Sequence, residues 1–161
     1  MITPLKRSVT KEQALQKLKH YCAYQERCHQ EVKEKLYDLG LYQKDVEELI
    51  AQLIEENYVN EERFAIQFAG GKFRIKKWGR LKIRHALKQK KVSGYCIKKA
   101  LQQIDEEAYR DTIQKLAEAK WKMLTAEKNI FMKQRKVTDH LLHKGFEADF
   151  IKEVTESLAG K

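Results

Sequence analysis

Apolar residues recur along this chain at helical spacing, and three of the stretches that carry them align without a gap. They are VKEKLYDLGLYQKDVEELIAQL from Val32, IRHALKQKKVSGYCIKKALQQI from Ile83 and VTDHLLHKGFEADFIKEVTESL from Val137. Each opens with an apolar residue four positions before a leucine: Val32 and Leu36, Ile83 and Leu87, Val137 and Leu141. Five positions on stands Leu41, Val92 or Phe146, followed by Val46, Ile97 or Ile151. Leu49, Ala100 or Val154 comes next, and Leu53, Ile104 or Leu158 closes the set. Offsets of three and four are helical periods, and a repeat of this length signals tandem units. The residue before the central apolar position is Gly40, Lys91 or Gly145. Glycine there suits a left-handed residue that closes a helix, and Lys91 departs from it. Each stretch predicts a helix, a tight turn and a second helix.

A further helix fits ahead of each pair. The first is expected from about Lys11 to Tyr24, with Thr10 and Gln13 as a capping box and Leu15, Leu18 and Cys22 on one face. The second follows Asn60, a good N-cap, with Phe64, Phe68 and Ile75 on its inner side. The third follows Asp105, with Tyr109, Ile113, Leu116 and Leu124 spaced for burial. The pattern predicts an all-α protein: three tandem three-helix units, 10–57, 58–104 and 105–159, in an elongated, curved stack. Seven glycines and one proline in 161 residues agree with so much helix.

Charge changes the picture at the middle unit. KFRIKKWGRLKIRHALKQKK, residues 72–91, holds ten Lys or Arg and no Asp or Glu. From Arg63 to Ile104 there are thirteen basic and no acidic side chains, whereas the rest of the chain carries 20 basic and 23 acidic. A solubilising face normally mixes both signs, so a field of one sign on a folded unit points to a polyanionic partner. Ile83, Ala86 and Leu87 are expected to face inward, with Arg84, Lys88 and Lys91 as a stripe beside them. The candidate binding residues are Lys72, Arg74, Lys76, Lys77, Arg80, Lys82, Arg84, Lys88, Lys90 and Lys91.

Chemistry-bearing residues do not assemble into a catalytic motif. Cys28 and His29 are sequence neighbours and point apart on a helix, and His140 with His143 lacks further ligands at a metal-site spacing. Cys22, Cys28 and Cys96 are expected as reduced, partly buried thiols. Gly70-Gly71 has neither the spacing nor the preceding strand of a phosphate loop, and is read as a close helix contact or a flexible point. The carboxylates of EELIAQLIEEN lie on an outer helix face. Phe73, Trp78 and Tyr95 interleave with the basic residues; Trp78 is expected to pack at a hinge first and to contact a ligand second. Tyr58 is expected in a core between units. No cofactor or metal is expected. No run approaches the eighteen or so apolar residues of a membrane span, and MITPLKRSVTKEQ lacks the apolar stretch of a secretory signal, so a cytoplasmic protein is expected. Three units that bury their faces against their neighbours are expected to make a monomer.

ENYVNEERFAIQFA (55–68) and WGRLKIRHALKQKKV (78–92), together with the threefold repeat, resemble the RecX family of bacterial regulators of the RecA recombinase. The matching positions are Tyr58, Asn60, Glu61, Phe64 and Ala65, then Gly79, Ile83, Leu87, Lys90 and Val92. Asn57 and Lys91 stand where the family usually has glycine, and Leu81-Lys82 where an arginine often lies. The resemblance runs from about Thr10 to Leu158. It implies a regulator of DNA repair and recombination without catalysis of its own. Such a protein lodges in the groove of the RecA–DNA filament and mainly inhibits recombinase, ATPase and coprotease activity. The implied partners are RecA and non-specifically held DNA, single-stranded or in the filament. The alternative is a stand-alone nucleic-acid binder of helix-turn-helix type. Whether the basic face meets DNA or protein stays open at the level of sequence.

Overall fold

The computed structural model describes residues 9–160, so most of MITPLKRSVTKEQ lies outside the described residues. Among the described residues there are nine helices and no strand. They are α1 (Lys11–Tyr24), α2 (His29–Asp38), α3 (Gln43–Glu55), α4 (Glu61–Lys76), α5 (Arg80–Gln89), α6 (Gly94–Gln102), α7 (Glu106–Met123), α8 (Ile130–His143) and α9 (Ala148–Ala159). The entry signals work as expected. Thr10 and Gln13 form a reciprocal capping box. Asn60 accepts from the Arg63 amide, and Asp105 accepts from the Ala108 amide.

Helix pairs that pack extensively all lie within α1–α3, α4–α6 or α7–α9. The repeat holds at the level of single atoms. Leu36, Leu87 and Leu141 are each fully buried, as are Val32, Ile83 and Val137. The turn between the second and third helix of each group is one turn built three times. Gly40, Lys91 and Gly145 take φ of 90°, 60° and 94°. The next amide then reaches back to the repeat leucine: Leu41 N–H to Leu36 O at 3.4 Å, Val92 to Leu87 at 3.1 Å, Phe146 to Leu141 at 3.1 Å. Lys91 adopts the left-handed backbone despite its Cβ, at a cost of about 1–2 kcal/mol. Asn57, the other departure from glycine, is also left-handed, at φ 62°.

Two cores form. One belongs to α1–α3, around Leu18, Leu36 and Leu53. The other runs without a break through α4–α9 and also takes in Cys28, at the start of α2. The second and third groups are therefore one hydrophobic body. The first meets it at Cys28 and through the ion pairs Arg63–Glu26 (2.5 Å) and Lys90–Glu31 (3.8 Å).

Three sequence expectations are corrected. Ile75 is 78% exposed. The buried stripe of α4 drifts from Phe64 and Ala65 to Ala69 and Phe73, because the end of α4 packs on Tyr109, whose ring centre is 5.6 Å from that of Phe73. Gly70 and Gly71 lie inside an unbroken helix and make no close helix contact: a Cβ on Gly71 would meet nothing within 4 Å, and one on Gly70 only the Arg74 guanidinium. Tyr58 packs on the first core rather than between units, with Lys19 Nζ 5.3 Å from its ring centre.

Candidate polyanion-binding face

Six of the ten basic residues of the run fall into three environments, and the other four are scattered. Arg80 borders the cleft at α5 and α6, but its charge is taken up by the fold. Its guanidinium reaches Glu106 at 2.5 Å and Glu147 at 3.0 Å and lies 3.9 Å from the ring centre of Tyr109. Its backbone N–H donates to the Tyr109 hydroxyl at 3.0 Å, and that hydroxyl donates to Glu147. Burial opposes the Arg80 charge, and the two carboxylates more than offset it, so its pKa is raised. Burial, followed by the Glu147 hydrogen bond, pushes the Tyr109 phenol up as well. Arg80 is thus spent on joining α5 to α7 and α9.

The backbone completes that joint. Gly79 N–H donates to Lys144 O at 2.8 Å, and Leu81 N–H to Gly145 O at 3.0 Å. A Cβ on Gly79 would sit 2.3 Å from the Gly145 carbonyl, so glycine is required by contact with backbone that has no room to yield. Lys144 Nζ reaches back to Lys76 O at 2.9 Å.

Beside the joint, α4 and α5 present an aromatic surface ringed by lysines. Trp78, half-buried in the turn between them, has Lys72 Nζ at 4.9 Å and Lys82 Nζ at 4.7 Å from its ring centre. Lys72 also lies 5.4 Å from Phe68, and Lys90 5.9 Å. Their ammonium groups lie within cation–π reach of these rings. Trp78 packs against the shared core, and its neighbouring residue makes the joint, which fits its expected packing role.

The third environment is a cleft of about 1050 Å³ between α5, α6 and the start of α7. Arg84 and Lys88 of α5 and Lys98 of α6 line it together with Ile97, Leu101 and Ile104. None of these three cations pairs with a carboxylate among the described residues. The acidic groups at the cleft are already engaged: Asp105 caps α7, and Glu106 is held by Arg80 and Arg110. Lys98 was not singled out from the sequence. Its signal was its place in the acid-free stretch, but its helix lies across a turn from the basic run, and only packing brings it to the same cleft as Arg84.

The remaining candidates are scattered. Arg74 borders a hollow with Glu26, Glu62 and Arg63, away from the cleft. Lys76, Lys77 and Lys91 are exposed at helix ends, Lys77 with φ 56°. Of the expected inward residues, Ile83 and Leu87 are buried and Ala86 is half-buried. Cys28 is fully buried, and burial raises its thiol to about 11, so it is not poised as a thiolate beside His29. Among the described residues no three His, Cys, Asp or Glu side chains converge as a metal site, and no helix is long and apolar enough to cross a membrane.

Two family domain models match the chain: the second three-helix domain of RecX over residues 60–101 and the third over 107–155, together more than half of it. A regulatory protein RecX from Bacillus cytotoxicus is 31% identical over 138 residues, covering 86% of this chain and 51% of that protein. One from Clostridium perfringens is 33% identical over 129 residues, covering 80% and 60%. The chain thus spans between half and three fifths of the length of these curated relatives. The crystal structure of RecX from Lactobacillus salivarius matches with a TM-score of 0.85 at 23% identity, over 94% of this chain and 97% of that one, and shares its fold.

Proposed function

Because the chain belongs to the RecX family, we propose that it is a regulatory protein that lodges against the RecA–DNA filament and mainly inhibits its recombinase, ATPase and coprotease activity. The observation that carries the reading is the cleft lined by Arg84, Lys88 and Lys98, none of which pairs with a carboxylate among the described residues. Unpaired cations on a rigid scaffold bind phosphate by releasing counterions, and the lysines around Trp78 extend the cationic surface. The tandem arrangement supports it too. A row of small helical groups reaches several subunits of a polymer at once, which a compact body of this size does not.

The helix pair α5–α6, joined by a tight turn with a basic first helix, also favours a second reading as a stand-alone nucleic-acid binder. The two separate in one experiment. The protein is added to RecA filaments preformed on single-stranded DNA, and ATP hydrolysis is followed, with binding to naked DNA as the control. Suppression of hydrolysis at salt that abolishes naked-DNA binding is the expected result. Tight naked-DNA binding with no effect on preformed filaments would favour the second reading.

A further inference from the structure

The corner where α7 turns into α8 presents a second surface that the basic middle run does not include. Met123 is 74% exposed, Ile130 50%, Phe131 81% and Met132 41%. The two helix ends are in contact: Lys133 Nζ on α8 lies 4.4 Å from the ring centre of Trp121 on α7. Four large apolar side chains left in water at one corner form a patch of the kind that marks an interaction site. The corner is also basic. Residues 120–136 hold six Lys or Arg and one acidic residue, Glu127, which Lys136 holds at 2.8 Å. An apolar centre inside a charged rim is the layout of a protein interface.

We propose that this corner docks an acidic protein segment that carries apolar anchors, and that the segment belongs to the protein subunits of the filament rather than to its DNA; this rests on the function proposed above. Charge complementarity selects an acidic partner, because the segment that forms the corner, 120–136, is cationic and its one carboxylate is already paired. The apolar residues select protein over nucleic acid. Unpaired bases stack on open aromatic faces, and Phe131 is the one open ring here: Trp121 is half-buried with Lys133 over its ring, and Met123, Ile130 and Met132 have no flat face. Flexible thioethers adapt instead to apolar side chains of varied shape. The regulator then grips its target at two points of different chemistry: cations at the α5–α6 cleft and an apolar anchor at the α7–α8 corner.

The test uses the full chain and its double variant Met123→Ser with Phe131→Ser. Both side chains lie outside the core, and unchanged circular dichroism checks the fold. Binding is measured to RecA filaments on single-stranded DNA, to naked single-stranded DNA, and to phosphatidylserine vesicles. The variant should bind filaments about tenfold more weakly or worse, as expected for loss of an anchor residue, with naked-DNA and vesicle binding unchanged. The apolar replacement Met123→Leu with Phe131→Leu should restore filament binding. Filament binding equal to that of the parent overturns the proposal and leaves the proposed function standing. An equal loss on naked DNA, or a loss on vesicles, also overturns it, by assigning the corner to nucleic acid or lipid. A parent chain that binds no filament at all overturns both.

Discussion

Arg80 and Glu147 stand 67 positions apart in the chain and 3.0 Å apart at their charged groups, with the Tyr109 hydroxyl bonded to both residues. This junction turns two three-helix groups into one body, because it sits on the core that α4–α9 share. Removing only the hydroxyl, with Tyr109→Phe, leaves the Arg80 N–H and a Glu147 oxygen without their partner in a largely closed site. The expected loss is about 1–3 kcal/mol, read by chemical denaturation. Glu106→Gln, on the exposed side of the same guanidinium, should cost less than 1 kcal/mol or so.

Two glycines make a sharper contrast. Gly79→Ala drives a Cβ into the Gly145 carbonyl at 2.3 Å, and neither backbone can move without breaking the hydrogen bonds that pair them. Gly71→Ala adds a Cβ in open space in the middle of α4. The first change should destabilise strongly, by about 2 kcal/mol or more. The second should stabilise, by up to about 1 kcal/mol, as alanine gains over glycine in a helix. Melting temperatures moving the same way for both would contradict the joint.

The equivalent leucines should not behave equivalently. Leu36→Ala, Leu87→Ala and Leu141→Ala each open a cavity at a fully buried site, at a cost of about 2–5 kcal/mol. Leu36, however, belongs to the separate core of α1–α3. Its truncation should lower amide hydrogen-exchange protection in α1–α3 and spare the rest. Leu87→Ala and Leu141→Ala should each lower protection across α4–α9 together. Protection lost only within the mutated three-helix group in all three cases would contradict a shared second core.

The repeat was legible because a helix buries every third or fourth residue whatever its neighbours are, so Leu36, Leu87 and Leu141 announce themselves by spacing alone. Caps were legible for the same local reason: Thr10, Asn60 and Asp105 act within three residues of themselves. Arg80 was not. Its partners lie 26 and 67 positions away, and nothing in a basic run distinguishes the one arginine that a fold consumes from those it leaves free. Ile75 failed likewise: its spacing from Phe64 is helical, but the contact stripe of α4 shifts when the neighbour changes from α6 to Tyr109. Exposed Phe131 and Met123 carry no periodic signature that separates them from core residues.

Burial sets the chemistry of the first two thiols. Cys22 and Cys28 are raised from 9.0 to about 11, chiefly by desolvation. At pH 8 roughly one thiol in a thousand is then ionised, so both should resist iodoacetamide in the folded protein and react promptly in denaturant. The sign for stability follows. A folded pKa above the unfolded one favours the folded state below about pH 9, and this contribution is lost as pH rises through about 11. Cys22→Ser and Cys28→Ser should each flatten that alkaline fall in melting temperature. Fast labelling of both thiols without denaturant would contradict their burial.

Arg84 and Lys88 carry the last prediction because they are the cleft cations that the fold does not use. Reversing both to Glu should leave the helical content intact, since both side chains are exposed. If they meet phosphate, affinity for single-stranded DNA should fall, and the slope of log K against log salt should flatten by about 0.7 per lost contact. Arg74→Glu is the matched control: it changes charge in the same run, but in a hollow shared with Glu26 and Glu62, and its salt slope should stay near that of the parent. On filaments the expected outcome is relief of ATPase suppression by the double reversal and not by Arg74→Glu. Suppression by the parent at less than one molecule per filament subunit would mean that bound molecules block growth or spread their effect along the polymer. Mere competition for DNA would need enough protein to cover it and would weaken on preformed filaments. An unchanged salt slope with the fold intact would move the anion-binding face off the cleft, to the lysines around Trp78.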